Sequence, residues 1–136
     1  MAPRPQVVPL DSVPVIPAEE APTRVRIARL VTRERCGSSL LLGACWMDPG
    51  EETNVWSFEA EDTTGEGDKW YGPVDETYFV VRGRLRLTWD EGELEFGPED
   101  GVYLAPGWSY RLRNVGDEPD IYCSRQGRRV AQGCPA

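Results

Sequence analysis

Residues 75–96 read Asp-Glu-Thr-Tyr-Phe-Val-Val-Arg-Gly-Arg-Leu-Arg-Leu-Thr-Trp-Asp-Glu-Gly-Glu-Leu-Glu-Phe. Glu76 to Val81 is rich in aromatic and β-branched residues and predicts a strand. Arg82-Gly83 turns the chain. Arg84 to Trp89 predicts the next strand, with Leu85, Leu87 and Trp89 on one face at a period of two. Asp90-Glu91-Gly92 forms a tight hairpin turn, and Glu93 to Phe96 pairs back.

The same pattern extends in both directions. Ser38 to Met47 is a near-continuous apolar run, the signature of a buried strand. The turn Asp48-Pro49-Gly50-Glu51 follows it. Asn54 to Glu59 predicts a strand with Trp56 and Phe58 on one face. Ala60 to Asp68 is mostly polar and reads as a surface loop of the kind that borders sites. Val102 to Ala105 is a strand closed by the turn Pro106-Gly107. Ser109 to Asn114 and Ile121 to Arg125 complete the series, while Thr23 to Val31 suits an edge strand or a short helix. About eight to ten short strands with turns between them predict an all-β sandwich or barrel.

The chain has 136 residues with Pro 12 and Gly 14. That length fits one domain that folds without disulfide or metal staples. Residues 1–22, with Pro at 3, 5, 9, 14 and 17, read as an extended arm that lies across a neighbouring subunit or stays loose. Residues 23–136 then form the barrel domain. The arm lacks a basic start and an apolar core, so it does not read as a signal peptide.

No run is long enough for a transmembrane helix, and no membrane partner is expected. The net charge of -8 argues against nucleic acid. Arg82, Arg84, Arg86, Arg111 and Arg113 read as outward strand residues balanced by acids, with an anionic-ligand or partner site as the alternative. Cys36, Cys45, Cys123 and Cys134 make no CxxC pair, which gives little support to a zinc cluster. Reduced thiols in the cytoplasm are the expectation. Cys45 reads as a small core residue, and a disulfide among the four stays open.

Two stretches resemble the motifs of the cupin superfamily. The first motif is G(X)5HXH(X)3–4E(X)6G; here Glu76 is followed after six residues by Gly83. The second is G(X)5PXG(X)2H(X)3N; here Gly107, Tyr110 and Asn114 take the glycine, histidine and asparagine positions. Asp100 fits the acidic residue after the motif's first glycine. Glu99 stands in place of that glycine. Ala105 stands at the proline position, with Pro106 one place later. The histidine pair of the first motif falls on Trp70 and Gly72 or on Lys69 and Tyr71, according to spacing. The resemblance spans about residues 38–125. It implies a double-stranded β-helix (jelly-roll) barrel, similar to small single-domain cupins such as the ethanolamine-utilisation type and some of secondary metabolism. It also implies a homodimer paired through sheet edges, with Phe79, Leu85 and Leu87 taking part.

Cupins ordinarily hold a metal with three imidazoles and a carboxylate. This chain has His 0, so a histidine-held metal is excluded by composition and no cofactor is expected. Period-two alternation puts Glu76, Tyr78 and Val80 on one face, and Tyr110, Leu112 and Asn114 on another. If the cupin register holds, these faces line the barrel, with Lys69, Trp70 or Tyr71 at its mouth and Trp46, Trp56 and Phe58 as apolar walls. An aromatic pocket with a few convergent polar groups suits a small-molecule substrate or ligand.

In such a pocket desolvation raises a carboxylate's pKa, which fits Glu76 as general acid or base. Tyr110 or Tyr71 would donate a hydrogen bond to a carbonyl or protonate a leaving group, and Lys69 would stabilise an enolate or bind a carboxylate. The same residues also admit structural roles. Glu76 would hydrogen-bond inside the barrel, Tyr78 and Tyr110 would pack as core rings, and Asn114 would hold a turn through its backbone contacts. Three functions stay open: a metal-independent lyase, isomerase or cyclase; a non-catalytic binding or assembly protein; and an enzyme whose metal is held by oxygens.

Overall fold

A computed structural model describes residues 2–21, 23–57 and 74–128. Among them are ten strands: β1 (Val15–Ile16), β2 (Arg26–Val31), β3 (Leu40–Trp46), β4 (Trp56–Ser57), β5 (Val74–Arg82), β6 (Leu85–Trp89), β7 (Gly92–Phe96), β8 (Gly101–Leu104), β9 (Ser109–Asn114) and β10 (Ile121–Arg128). One α-helical turn, α1 (Arg33–Cys36), lies between β2 and β3, and 3-10 turns at Leu10–Ser12 and Ala18–Glu20 flank β1. The Thr32 hydroxyl caps α1 by accepting the Arg35 N–H at 3.0 Å. Gly37 ends it in the left-handed conformation.

The strands form two antiparallel sheets, in the orders β1-β2-β3-β10-β5-β8 and β4-β9-β6-β7. The period-two reading fixes which side chains meet between them. On β5, Glu76, Tyr78 and Val80 are buried while Thr77, Phe79 and Val81 are exposed. On β9, Tyr110, Leu112 and Asn114 are buried and Arg111 and Arg113 exposed. The core joins Met47, Tyr78, Val80, Leu85, Leu87, Phe96, Leu104, Tyr110, Leu112 and Tyr122.

Several expectations need correction. Leu85 and Leu87 are 0% and 3% exposed, so they belong to the core and are closed to a dimer contact. The described part of the arm, 2–21, folds back on its own chain: β1 pairs with β2 through Val15↔Ala28 and Ile16↔Ile27. β2 is therefore an inner strand. Val13 and Ala21, on either side of β1, are buried. The strand expected over Asn54 to Glu59 is described only at Trp56–Ser57, paired to β9 through Trp56↔Tyr110. Of the arginines expected to face outward, Arg82, Arg84, Arg111 and Arg113 are exposed and Arg86 half-buried; acids stand beside two of them, with Arg84 3.9 Å from Glu95 and Arg86 3.9 Å from Glu93 and 3.6 Å from Glu95 across the β6–β7 hairpin.

A latch closes one end of the barrel. Gly83, after β5, has φ +98, and a Cβ there would meet Asp120 Cβ at 2.6 Å and its Cα at 2.7 Å. Asp120 is fully buried. Its Oδ1 accepts the Met47 N–H at 3.0 Å, and its Oδ2 has no hydrogen-bond partner. Burial pushes its carboxyl up to about 7, against the pull of the Met47 N–H and the Arg26 charge, with Glu51 and Asp48 adding to the rise. Glu99 keeps a left-handed backbone, φ 69, at the position where the motif has glycine. Asp100 ties that turn together by accepting the Gly97 N–H at 2.7 Å.

Candidate functional site

β10 runs between β3 and β5, and register builds the barrel interior in layers. The first layer crosses Leu41, Gln126, Glu76 and Leu104; the next crosses Gly43, Ser124, Tyr78 and Val102; the third crosses Cys45, Tyr122 and Val80. Glu76 is 3% exposed. The Gln126 side-chain amide donates to its Oε2, and the Tyr78 hydroxyl hydrogen-bonds it from the next layer. Tyr78 in turn packs on Tyr122, ring centroids 4.9 Å apart.

The electrostatics follow from this burial. Desolvation raises the Tyr78 phenol well above its ordinary value, and the Glu76 charge adds to the rise. Burial does the same at Tyr122, reinforced by Cys45, Asp120 and Glu76. The Cys45 thiol is pushed up to about 12, by burial first and the Glu76 charge second. A thiol so placed stays protonated at neutral pH and is no nucleophile. Tyr110 is raised by burial, then by Tyr103 and Glu76. The Glu76 carboxylate thus acts on a ring of groups that hold their protons.

Tyr110 is 5% exposed, packs on Trp56 with centroids 5.8 Å apart, and donates its hydroxyl hydrogen to the Ala105 carbonyl at 2.7 Å. The structure thus brings Glu76, Tyr78, Tyr110 and Trp56 to one interior. Trp46 is a correction: it alternates with the core residues Cys45 and Met47 along the chain, so it faces away from the barrel. Asn114 is another. It is 0% exposed, donates to the Met47 and Glu118 carbonyls at 3.0 and 2.9 Å, and accepts the Gly116 N–H at 2.9 Å. Its side chain is spent on backbone and leaves nothing for a ligand, which agrees with the turn-holding alternative. Phe58, Lys69, Trp70 and Tyr71 lie outside the described residues.

Sequence reasoning missed Tyr122, Ser124 and Gln126. The signal was present: three polar-capable side chains at a period of two on the last strand. It became readable only once β10 was known to sit beside β5. Cys36, Cys45 and Cys123 are free thiols; Cys134 lies outside the described residues. Among the described residues no three of Cys, Asp or Glu are grouped to hold a metal ion. None of their helices is long and apolar enough to cross a membrane.

A cleft of about 310 Å³ opens between the two sheets' edge strands, lined by Leu87, Trp89, Leu94, Tyr103, Ala105, Trp108 and Tyr110. It reaches the core at Leu87 and Tyr110, and through Trp89, which packs against it.

Two facing antiparallel sheets that enclose one apolar core fit a double-stranded β-helix barrel. The chain has the cupin fold, and solved structures bear this out. A predicted oxalate decarboxylase from Thermotoga maritima aligns at TM-score 0.69 and 15% identity, over 91% of this chain and 100% of that one. The Cnp3 cupin domain of Schizosaccharomyces pombe aligns at 0.64 and 16%, over 89% and 72%. A cupin 2 conserved barrel domain protein from Salinispora arenicola aligns at 0.60 and 20%, over 93% and 88%. The sequence matches no protein-family model and no curated protein.

Proposed function

We propose that the chain is a small-molecule enzyme of the cupin fold that works by proton transfer at Glu76, as a lyase, isomerase or cyclase without a histidine-held metal. The observation behind this reading is a carboxylate 3% exposed inside the barrel, held by the neutral Gln126 amide among phenols that keep their protons. Such a group takes a proton from a carbon beside a substrate carbonyl and becomes the neutral acid. It then returns that proton to another carbon or to a leaving group. The Tyr78 hydroxyl, directed at Glu76, steadies its charge; Tyr71 serves as hydrogen-bond donor, joined by Tyr110 when its hydroxyl gives up the Ala105 carbonyl, and Lys69 receives developing enolate charge. The homodimer belongs to the same reading, now through the outer face of β5, where Phe79 and Val81 are 51% and 52% exposed.

The test begins with thermal-shift screening of small carboxylates, amines and polyketide-like acids, since a ligand of the folded state raises its melting point. With turnover in hand, Glu76→Gln is expected to lose about 10²–10⁴-fold in kcat, while its amide oxygen still accepts from Gln126. Full turnover by Glu76→Gln would remove the proposal.

A second reading, a non-catalytic ligand-binding or assembly protein, draws on a specific observation. Glu76 is engaged by Gln126 and the Tyr110 hydroxyl by the Ala105 carbonyl, as in a scaffold whose polar groups serve one another. Turnover that depends on a barrel residue decides against it.

A further inference from the structure

The edge cleft has a chemistry of its own, separate from Glu76 and sharing only Tyr110 with that site. We infer that it binds an alkylated ammonium group, the trimethylammonium head of a small cation.

Four of its seven lining residues are aromatic: Trp89, Tyr103, Trp108 and Tyr110. Trp108 and Tyr103 are 37% and 58% exposed, so a ligand reaches them from solvent. The phenolic hydrogens are committed elsewhere. Tyr103 donates to Asp75 Oδ1 and Tyr110 to the Ala105 carbonyl, both at 2.7 Å. What these two residues bring to the cleft is ring surface, and the Asp75 carboxylate against the Tyr103 hydroxyl makes that ring richer in electrons. The negative faces of aromatic rings attract a cation within about 6 Å of their centres, best when it is desolvated.

Charge sets the sign of the ligand. The chain carries a net -8. The exposed Asp90 and Glu91 follow Trp89 directly, whereas Glu93 and Glu95 stand on the other face of β7, beside Arg86. An anion would meet repulsion at this rim. The lining also separates kinds of cation. Its side chains carry no carboxylate and the Ala105 carbonyl already accepts from Tyr110, so the lining offers the N–H donors of a primary ammonium few acceptors to replace water. A quaternary ammonium has no N–H and loses nothing there. A volume of about 310 Å³ stands at the small end of the roughly 300–1,000 Å³ typical of ligand pockets, which fits one head group.

The experiment is calorimetric titration of the full chain with choline and with 3,3-dimethylbutan-1-ol, its neutral counterpart with carbon in place of nitrogen. Choline is expected to bind at least tenfold more tightly, and to perturb tryptophan fluorescence. Trp108→Ala, at a partly exposed turn position, is expected to weaken choline roughly tenfold without lowering the melting temperature. Asp75→Asn is expected to weaken choline and leave the alcohol unchanged. Equal affinity for the two ligands, no choline binding, or unchanged choline affinity in Trp108→Ala would each overturn the inference. These readouts are independent of turnover, so the Glu76 reading stands or falls separately.

Discussion

Asp120→Asn tests the barrel latch. The Asp120 carboxyl is fully buried, its Oδ1 takes the Met47 N–H, and its Oδ2 has no partner. Its pKa rises from 3.8 to about 7 on folding, mainly because burial penalises the charge. The folded state therefore binds the proton more tightly than the unfolded chain. The sign follows from linkage: stability is fully present below about pH 4, falls as pH rises, and levels off above about 7. Between pH 5 and pH 8 the unscreened loss is about 2–3 kcal/mol at roughly 1.4 kcal/mol per pKa unit. Asp120 sits near the surface charges of Arg26, Asp48 and Glu51, and solvent screening there trims the figure to about 1–2 kcal/mol. Asparagine keeps the acceptor for Met47 and cannot ionise. Urea unfolding of both proteins at pH 5, 6, 7 and 8 gives the comparison. The variant's stability relative to the parent is expected to grow by about 1–2 kcal/mol across that range. Because the other carboxylates titrate alike in both proteins, parallel curves would refute the reasoning.

Three further outcomes are expected, two from the fold and one from the proposed dimer. Gly83→Ala is expected to cost about 2–5 kcal/mol, since it adds left-handed strain to a collision with Asp120; a melting temperature within a degree of the parent's would show that the latch yields. Glu99→Gly is expected to stabilise by about 0.5–1 kcal/mol, because the backbone there has φ 69 and glycine adopts it without strain, and chemical unfolding reads the gain. Light scattering at micromolar concentration is expected to give a dimer that Phe79→Lys converts to monomer at an unchanged melting temperature; a parent protein that is only monomeric removes the dimer.

The strands were legible because alternation is a local property. Ser109–Asn114 was read at its observed bounds, and the buried face of β5 followed from Glu76, Tyr78 and Val80 at a period of two. Partnership was less legible. Leu85 and Leu87 alternate correctly, but alternation alone does not say whether a face meets a core or a second subunit. Trp46 looks like a pocket wall until the burial of Cys45 and Met47 fixes the pleat. Asn114 could be placed on the inner face, but its three backbone partners come from Met47, Gly116 and Glu118, and Met47 lies far away in sequence. Gln126 was invisible for the same reason: its meeting with Glu76 depends on the pairing of β10 with β5. The two-residue β1 was hidden among prolines, which weaken any strand signal.

Those prolines give β1 a consequence beyond its size. On that side of the larger sheet Val15 and Ile16 cover Ala28 and Ile27, with Pro14 and Pro17 on either flank, and the Arg35 guanidinium takes up the Arg29 and Leu30 carbonyls further along. Proline has no amide hydrogen to offer an incoming chain, and so short a rim gives a foreign strand little to zip onto. Without this flap, Ile27 and Ala28, at the middle of the edge, would present open backbone donors and acceptors. The flap therefore acts as a terminator against fibre-like growth, and removing the first twenty residues would be felt in shelf life and solubility sooner than in the barrel's own folding.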